Sequence, residues 1–310
     1  MLNQIISADQ LSSFTTVFLG IFMEAAPFLL LGAIASGLIE VFVSQDSLAH
    51  FFPRKLIPAT FIGSLLGFFF PVCDCGVVPL TQRLYKKGLP LSAGIAFLLA
   101  APIVNPIVIA STYSAYGFGR VLITRLILGI LVSFCVGLVF SLNKSPDPIA
   151  AAQVHLDHAP LVLNDPGAVL KIPFINRFLS ALKIAGSDFL NMGRYLVIGS
   201  LLAALVQTLI PPSAIIAAGS GPLSSVIVMQ GLAFVLSVCS TVDAFISLTF
   251  VKLFSTGSIL SFLVFGPMID IKSTMMFLGI MRPKMVFYLI LLTFLLVTLS
   301  TLFLNNILGW

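Results

Sequence analysis

Long apolar runs alternate with shorter, interrupted ones along most of the chain. A transmembrane helix needs about 20 mostly apolar residues to cross a hydrocarbon core of ~30 Å. The pattern therefore predicts an all-α polytopic membrane protein. Four runs are long enough and uninterrupted, and we expect each to span the membrane: Phe14–Val43, Arg120–Leu142, Phe189–Leu209 and Met285–Leu304.

Pro, Gly and polar residues divide the remaining apolar sequence into pieces that are short for a full crossing at ~1.5 Å per residue. Short pieces in matching positions of two halves are typical of broken or re-entrant helices at a transporter's binding site. We expect about eight to ten membrane segments in total. The pieces are Leu56–Phe70, Val77–Lys86, Leu91–Ala101, Ile107–Tyr116, Val226–Val238, Ala244–Phe254, Ile259–Phe265 and Ser273–Met281.

A polar, proline-containing segment over residues 143–172 separates the two groups of apolar runs and is typical of a flexible linker. The prediction is a first transmembrane repeat over residues 1–142 and a second over residues 173–310, with the linker in the cytoplasm. His155 and His158 lie in this linker without a third ligand nearby in the sequence. We expect solvated side chains there rather than a metal site.

The two halves resemble each other at a nearly constant spacing. The offsets of the matched segments agree within two residues and the segments occur in the same order, which indicates a duplicated transporter. The matched segments are Phe28–Gly32 with Tyr195–Gly199, Val72–Cys73 with Val238–Cys239, and Phe97–Pro102 with Phe262–Pro267, which also sets Asn105 opposite Asp270.

Basic residues flank the first long helix of each half on opposite sides. Arg54 and Lys55 follow the first helix, whereas Lys171, Arg177 and Lys183 precede its counterpart. Cytoplasmic loops carry an excess of Lys and Arg, so the two helices are predicted to cross the membrane in opposite directions. The expected arrangement is an inverted repeat.

Composition agrees with a membrane protein. Hydrophobic residues make up 59% of the 310 residues and charged residues only 9%, whereas a soluble domain carries roughly 25% charged residues. This excludes soluble enzymes, nucleic-acid-binding domains and secreted disulfide scaffolds. The net charge of +5 is the excess of Lys and Arg that marks cytoplasmic loops. We expect no catalytic residue, no resident metal and no cofactor, because no nucleotide-binding loop, haem motif or zinc-protease motif is present.

The stretch Phe70–Pro79 carries the most informative chemistry of the chain. Cys73 and Cys75 do not share a helix face, so both thiols meet one ligand only where the backbone is unwound. Two prolines and Gly76 predict such a break. The alternative is a kink in which two small cysteines are simply buried. In the second half Cys239 occupies the matching position, and we predict that the three cysteines converge on one substrate site.

Acidic residues between the apolar runs are candidates for proton or ion coupling. A charged side chain inside a bilayer is unfavourable and marks a functional site by default. Asp74 and Asp243 are two such candidates, and the alternative for each is a loop end in the headgroup zone. Glu24 is a third candidate, and its alternative is an interfacial position.

Prolines also predict a second pair of broken helices, at matching positions of the halves. Asn105 lies between two prolines, and Asp270 follows Pro267 closely. Broken helix ends present dipoles and free backbone groups to a solute. Asn105 and Asp270 are therefore candidate substrate ligands. Asp270 and Lys272 either form an internal pair or mark a loop.

Three motifs in order resemble those of the DUF318 permease family, also called UPF0718, which includes ArsP-type organoarsenical exporters. They are Pro-Val-Cys-Asp-Cys-Gly-Val-Val-Pro, Ala-Pro-Ile-Val-Asn-Pro and Cys-Ser-x-x-Asp-Ala-Phe, ending at Pro79, Pro106 and Phe245. The resemblance implies a multi-pass permease of the bacterial inner membrane, with trivalent organoarsenicals exported by some members. Soft thiolates suit such a thiophilic solute.

The leading functional prediction is a secondary transporter whose partners are a small-molecule or ion substrate and the lipid bilayer, with no nucleic acid. The substrate ligands are predicted to be Cys73, Cys75, Cys239, Asn105 and Asp270. One alternative is a membrane thiol oxidoreductase that uses the Cys-Asp-Cys motif. Another is a channel or a structural membrane subunit of a larger complex.

Overall fold

The structure is a computed structural model that describes residues 8–44, 52–53, 55–70, 72–142, 174–209 and 221–308. These residues form helices and connecting turns and no strand, which confirms the predicted all-α class. The linker predicted at residues 143–172 lies outside the described residues. The helices are α1 (Ala8–Phe42), α2 (Leu56–Leu66), α3 (Asp74–Lys86), α4 (Leu91–Val104), α5 (Pro106–Tyr116), α6 (Arg120–Leu142), α7 (Phe174–Leu209), α8 (Pro222–Leu236), α9 (Asp243–Leu248), α10 (Thr256–Met268), α11 (Ile271–Ile280) and α12 (Pro283–Leu308).

Within the described ranges, six helical segments are long and apolar enough to cross a membrane. Four of them are the single helices α1, α6, α7 and α12. The other two are composite, because α4 and α5 together cover Leu91–Tyr116 and α10 and α11 together cover Thr256–Ile280. Two shorter apolar helices, α2 and α8, accompany them. This is the expected multi-pass architecture with broken helices.

Two helices differ from the bounds that hydropathy predicts. α7 begins at Phe174 rather than near Phe189, because its first turn packs against the end of α1, where Arg177 donates to the Val41 carbonyl oxygen. α9 ends at Leu248, where an apolar piece through Phe254 was expected. The residues that follow α9 include threonine, phenylalanine and valine, which have lower helix propensity, and they form turns.

The first helices of the two halves, α1 and α7, pack against each other in opposite directions. The Ser36 hydroxyl of α1 donates to Asp188 of α7 at 2.7 Å. Farther along α1 but earlier along α7, the Arg177 guanidinium donates to the Val41 carbonyl oxygen at 3.2 Å. Because the contacts advance along one helix as they recede along the other, the two helices are antiparallel.

Two glycines at matching positions bring these long helices against the short ones. A Cβ added to Gly32 of α1 would lie 2.3 Å from the Gly76 Cα in α3. A Cβ added to Gly199 of α7 would lie 2.8 Å from the Lys272 Cα in α11. The absence of side chains at Gly32 and Gly199 therefore allows α3 and α11 to pack closely at the centre of the protein.

Helices α4 and α10 form the interior. Every residue of α4 from Ser92 to Val104 is buried, and α10 is buried over nearly its whole length. A helix that is apolar on all sides belongs inside a bundle rather than at its surface. α4 packs against α2 and α6, and α10 packs in the same way against α8 and α12. The two halves thus repeat one packing arrangement around the broken helices.

Alanine at Gly32 or Gly199 should destabilise the protein. The added Cβ meets backbone atoms, so only a shift of a whole helix relieves the overlap, and we expect a loss of ~1–3 kcal/mol. The measurement is the melting temperature of each purified variant in detergent.

The matched controls are Gly20→Ala on α1 and Gly193→Ala on α7, where an added Cβ meets nothing within 4 Å. Both should keep or slightly raise the melting temperature, since alanine is the better helix former by about 1 kcal/mol. Melting temperatures as high for Gly32→Ala and Gly199→Ala as for their controls would contradict the close packing.

Candidate functional site

The break between α4 and α5 is organised by Asn105. Its side-chain oxygen accepts a hydrogen bond from the Ile107 backbone N–H at 2.9 Å and so caps the start of α5. Its amide group donates to the carbonyl oxygen of Val72 at 3.2 Å. Asn105 is therefore buried at the point where the broken helix meets the non-helical residues that precede α3.

The break between α10 and α11 is built in the same way around Asp270. The Asp270 carboxylate accepts the Ser273 N–H at 2.6 Å and caps α11. Ser237, which has a left-handed backbone with φ of 47°, accepts the Ile271 N–H at 3.1 Å through its hydroxyl group. In both halves the broken helix is thus tied to the segment that precedes the short helix, α3 or α9.

The thiols of Cys73 and Cys75 lie close together, at the start of α3. Cys73 is the N-cap residue and has an extended backbone, and Cys75 lies in the first helical turn. One ligand atom from each of Cys73, Asp74 and Cys75 lies within 4.8 Å of the other two. The extended N-cap residue directs its side chain towards the first turn, which brings the two sulfurs to one side.

The prediction of an unwound stretch through Pro79 is wrong. Only Val72 and Cys73 are described as non-helical immediately before α3, and Gly76 and Pro79 lie inside the helix. The reason is packing: Gly76 is the contact point with Gly32 of α1 and does not serve as a helix break.

Lys272 links the two halves at the centre of the site. Its ammonium nitrogen lies 3.4 Å from Asp74 Oδ2 and 3.1 Å from Asp270 Oδ2, and it donates to the Ser237 carbonyl oxygen at 2.9 Å. The residue is only 2% exposed. Of the two alternatives for Asp270 and Lys272, the structure therefore has the internal ion pair, extended to Asp74.

The other predicted residues of this region lie around the same lysine. Cys239 is buried in the non-helical segment before α9, within electrostatic range of Lys272 and Asp74. Glu24 of α1 is half-buried. It interacts electrostatically with Lys272 and also interacts with the backbone of Cys239. We define the central cluster as Glu24, Cys73, Asp74, Cys75, Asn105, Cys239, Asp270 and Lys272. Its chemistry combines soft sulfur donors with paired charges.

Asp243 lies in a separate ion pair. The Arg125 guanidinium, from the interior face of α6, donates to Asp243 Oδ2 at 2.6 Å and to the Thr112 hydroxyl at 2.7 Å. The arginine is 1% exposed. The Ser111 hydroxyl also donates to the carbonyl oxygen of Thr241, just before α9. These contacts fix α9 against α5 and α6.

Two partners in these ion pairs were missed in the sequence. Arg125 was included in a long apolar run, although a charged residue six positions into such a run needs a partner in the protein interior. Asp188 directly precedes the apolar run predicted from Phe189 and was not singled out. It accepts a bidentate interaction from Arg83 of α3, with the shorter contact at 2.7 Å. Both residues are single charges within or next to an apolar run, and this pattern indicates a buried ion-pair partner.

Comparison with known proteins assigns the family. Residues 10–306 match the family ArsP_1, described as "Predicted permease". The chain belongs to this permease family. UPF0718 protein YcgR of Bacillus subtilis (strain 168) is 41% identical over 89% of this chain and 91% of its own length. A putative two-component membrane permease complex subunit of Streptococcus mutans serotype c is 36% identical over 87% of each chain. No solved structure matches.

Family membership confirms the resemblance that the three motifs indicated. The protein is a multi-pass membrane permease of the cell membrane, and its six candidate spans agree with that location. The three motifs lie at the start of α3, at the break between α4 and α5, and in the segment that leads into α9. The roles of the individual site residues remain predictions.

Removing one member of the Arg125–Asp243 pair should destabilise the protein more than removing both. Arg125→Leu or Asp243→Leu leaves an uncompensated buried charge, which costs about 3–5 kcal/mol. The double variant restores most of the loss, because an apolar pair often replaces a buried ion pair at little cost. The measurement is again the melting temperature in detergent.

Arg194→Leu is the control for this comparison, because Arg194 is an exposed arginine on α7. It should change the melting temperature little. A double variant as unstable as the single ones would show that the pair does not account for the losses.

Proposed function

We propose that this permease is a secondary transporter that binds its solute at the central cluster, between the two halves. The observation that carries the proposal is the contact of Lys272 with Asp74 from the first half and Asp270 from the second. Buried charges at broken helices, contributed by both halves, are typical of a transporter's substrate site. No ATP-binding motif occurs in the sequence, which favours secondary transport.

An inverted repeat over residues 1–142 and 173–310 is part of the proposal. The antiparallel packing of α1 against α7 supports it, since helices related by a two-fold axis in the membrane plane run in opposite directions. The matching roles of Asn105 and Asp270 as helix caps support it as well. Alternating access would then arise from movement of one half against the other.

The proposed substrate is a thiophilic solute such as a trivalent organoarsenical, moved out of the cell. Three buried cysteines, Cys73, Cys75 and Cys239, belong to one core cluster and supply soft ligands that such a solute can exchange. Asn105 and Asp270 border the same region. These contacts support the substrate class.

Proton or ion coupling is proposed for Asp74, Glu24 and Asp243. Asp74 and Glu24 both interact electrostatically with Lys272. Protonation of either carboxylate, or binding of an ion to it, would therefore change the net charge of the central cluster. Asp243 is buried as well, but its hydrogen bond with Arg125 also gives it a structural role.

One alternative has an observation in its favour. The relative in Streptococcus mutans is described as a subunit of a two-component membrane permease complex. A second component would then complete the transporter, and this chain would supply the membrane pathway. A thiol oxidoreductase has less support, because Cys73 and Cys75 are only two positions apart and a disulfide between them would be strained.

Serine at Cys73, Cys75 or Cys239 should each abolish resistance to a trivalent organoarsenical in a sensitive host that expresses the protein. Each substitution removes a bond between a cysteine sulfur and the arsenic atom, and a serine hydroxyl group does not replace this bond. Resistance and efflux of the arsenical are measured at matched protein levels.

Cys135→Ser is the matched control, since Cys135 lies half-buried in α6 away from the central cluster. It should retain full resistance. Normal efflux by all three central variants would refute the thiophilic substrate site, and equal loss in Cys135→Ser would point to a general effect of cysteine removal.

The membrane orientation can be tested by labelling. Basic residues gather where α1 ends: Lys87 donates to the Val43 carbonyl oxygen at 2.6 Å, and Arg177 lies beside Val41. We propose that this side is cytoplasmic. On a background without native cysteines, Lys55→Cys should be labelled by an impermeant maleimide only after permeabilisation, and Phe118→Cys in intact cells.

Phe118 suits this purpose because it is strongly exposed in the turn between α5 and α6, across the composite span from Lys87. Labelling of both positions from the same side would refute the proposed orientation.

A further inference from the structure

We infer that Cys73, Asp74 and Cys75 form a binding site for a soft divalent metal cation. Both cysteines and the aspartate are buried, and their ligand atoms lie within 4.8 Å of one another. Sulfur and carboxylate oxygen are donors that Zn²⁺ and related thiophilic cations accept. The inference rests on the proposed function, because it makes the metal a substrate of the same central cluster.

The geometry is close to that of a metal site. In a tetrahedral site with Zn–S bonds of about 2.3 Å, two sulfur ligands lie about 3.8 Å apart. One ligand atom from each of the three residues already lies within 4.8 Å of the other two, and the Cys75 sulfur lies 3.9 Å from one oxygen of the Asp74 carboxylate. Small side-chain rotations at the N-cap residue Cys73 would therefore complete the set. Three protein ligands leave the fourth position open, which suits an ion that must be released rather than a structural one.

One carboxylate oxygen of Asp74 is available to accept a further contact. Its Oδ1 atom is buried and has no hydrogen-bond partner in the described part of the chain. Its other oxygen is the one that contacts Lys272. A buried carboxylate oxygen without a partner is unfavourable, and a bound cation would satisfy it. The spare acceptor is independent of the clustering of the two thiols and points to the same ligand.

The charge balance favours a divalent over a monovalent cation. Each cysteine releases its thiol proton to water as the metal–sulfur bond forms. Two thiolates, the Asp74 carboxylate and a divalent cation then carry one net negative charge, which the Lys272 ammonium group at 3.4 Å neutralises. A monovalent cation would leave a second negative charge buried and unpaired, which is unfavourable.

Asp270 keeps its own compensation in the loaded site. It accepts the Ser273 N–H at the start of α11, where the helix dipole stabilises a negative charge. Lys272 contacts Asp270 and Asp74 at the same time, so it can balance the metal complex while it keeps its contact with Asp270. In this role Lys272 is a positioning and charge-compensating residue, not a metal ligand.

The test uses the full-length protein purified in detergent and Cd²⁺ as the probe, because Cd²⁺–thiolate bonds absorb in the ultraviolet. The wild-type protein should bind one Cd²⁺ per chain with this absorption. Cys73→Ser and Cys75→Ser should each lose most of this absorption, while Cys135→Ser should retain it.

Lys272→Met should weaken Cd²⁺ binding by about 10- to 100-fold, as loss of an outer partner does at other metal sites, and Lys272→Arg should restore the binding in part.

Several outcomes would overturn the inference. Absorption that persists in both Cys73→Ser and Cys75→Ser would do so, and so would no Cd²⁺ binding by wild-type protein with an intact melting transition. Unchanged affinity in Lys272→Met would refute the charge-compensating role. Thiol-dependent efflux of an organoarsenical without Cd²⁺ binding would overturn the metal site and leave the proposed function standing. Cd²⁺ binding without organoarsenical efflux would support the metal site and remove the organoarsenical proposal.

Discussion

A lysine ammonium group buried in a membrane protein must be paired, and much of this structure follows from how Lys272 is paired. Its two carboxylate partners come from different halves, Asp74 from α3 and Asp270 from the start of α11. An unpaired buried charge costs several kcal/mol, so the two short helices are held together at this point. Gly32 and Gly199 provide the room, because each lets a long helix approach a short one at backbone distance. The ion contact thus links the halves where the solute site is proposed.

A second constraint is that backbone groups at a helix break have no water to bind inside a bilayer. In the two composite spans, side chains satisfy the backbone groups at the break. Asn105 caps α5, Asp270 caps α11, and the hydroxyl group of Ser237 accepts the first N–H of α11. The same residues border the central cluster. The polar side chains that hydrogen-bond the free backbone groups at a break therefore also line the candidate site. This explains why the breaks and the candidate ligands coincide.

Hydropathy and the prolines predicted most of the long helices and the break at Asn105, because both depend on local sequence. The break at Asn105 follows from the prolines around it, and α6 follows from its uninterrupted apolar run. The start of α7 was not predicted, because tertiary contacts of Arg177 with Val41 and Phe42 of α1 favour helix where hydropathy is low. Pairing between distant charges is likewise a property of the fold, not of sequence spacing.

In the central cluster, too, the local sequence predicts the breaks but not the contacts between distant residues. That Asp74 and Cys239 belong to breaks could be read from prolines, polar residues and the internal repeat. That Asp243 binds Arg125 could not, since the two residues are 118 positions apart in the sequence. The internal repeat even favoured equal roles for Asp74 and Asp243, because both follow a matched cysteine. In the structure Asp74 pairs with Lys272 and Asp243 pairs with Arg125, so the two aspartates have different partners.

The choice of cation fits the position of each pair. Arg125 directs planar N–H groups at Asp243 and Thr112, at 2.6 and 2.7 Å, and such a geometry fixes its partners. Lys272 is a compact charge on a flexible stem, and it lies farther from its carboxylates, at 3.4 and 3.1 Å. Its hydrogen bond goes to a backbone oxygen instead. A guanidinium therefore suits the fixed contacts between α5, α6 and α9, whereas an ammonium group suits the proposed solute site, where the surrounding charges would rearrange on binding and release.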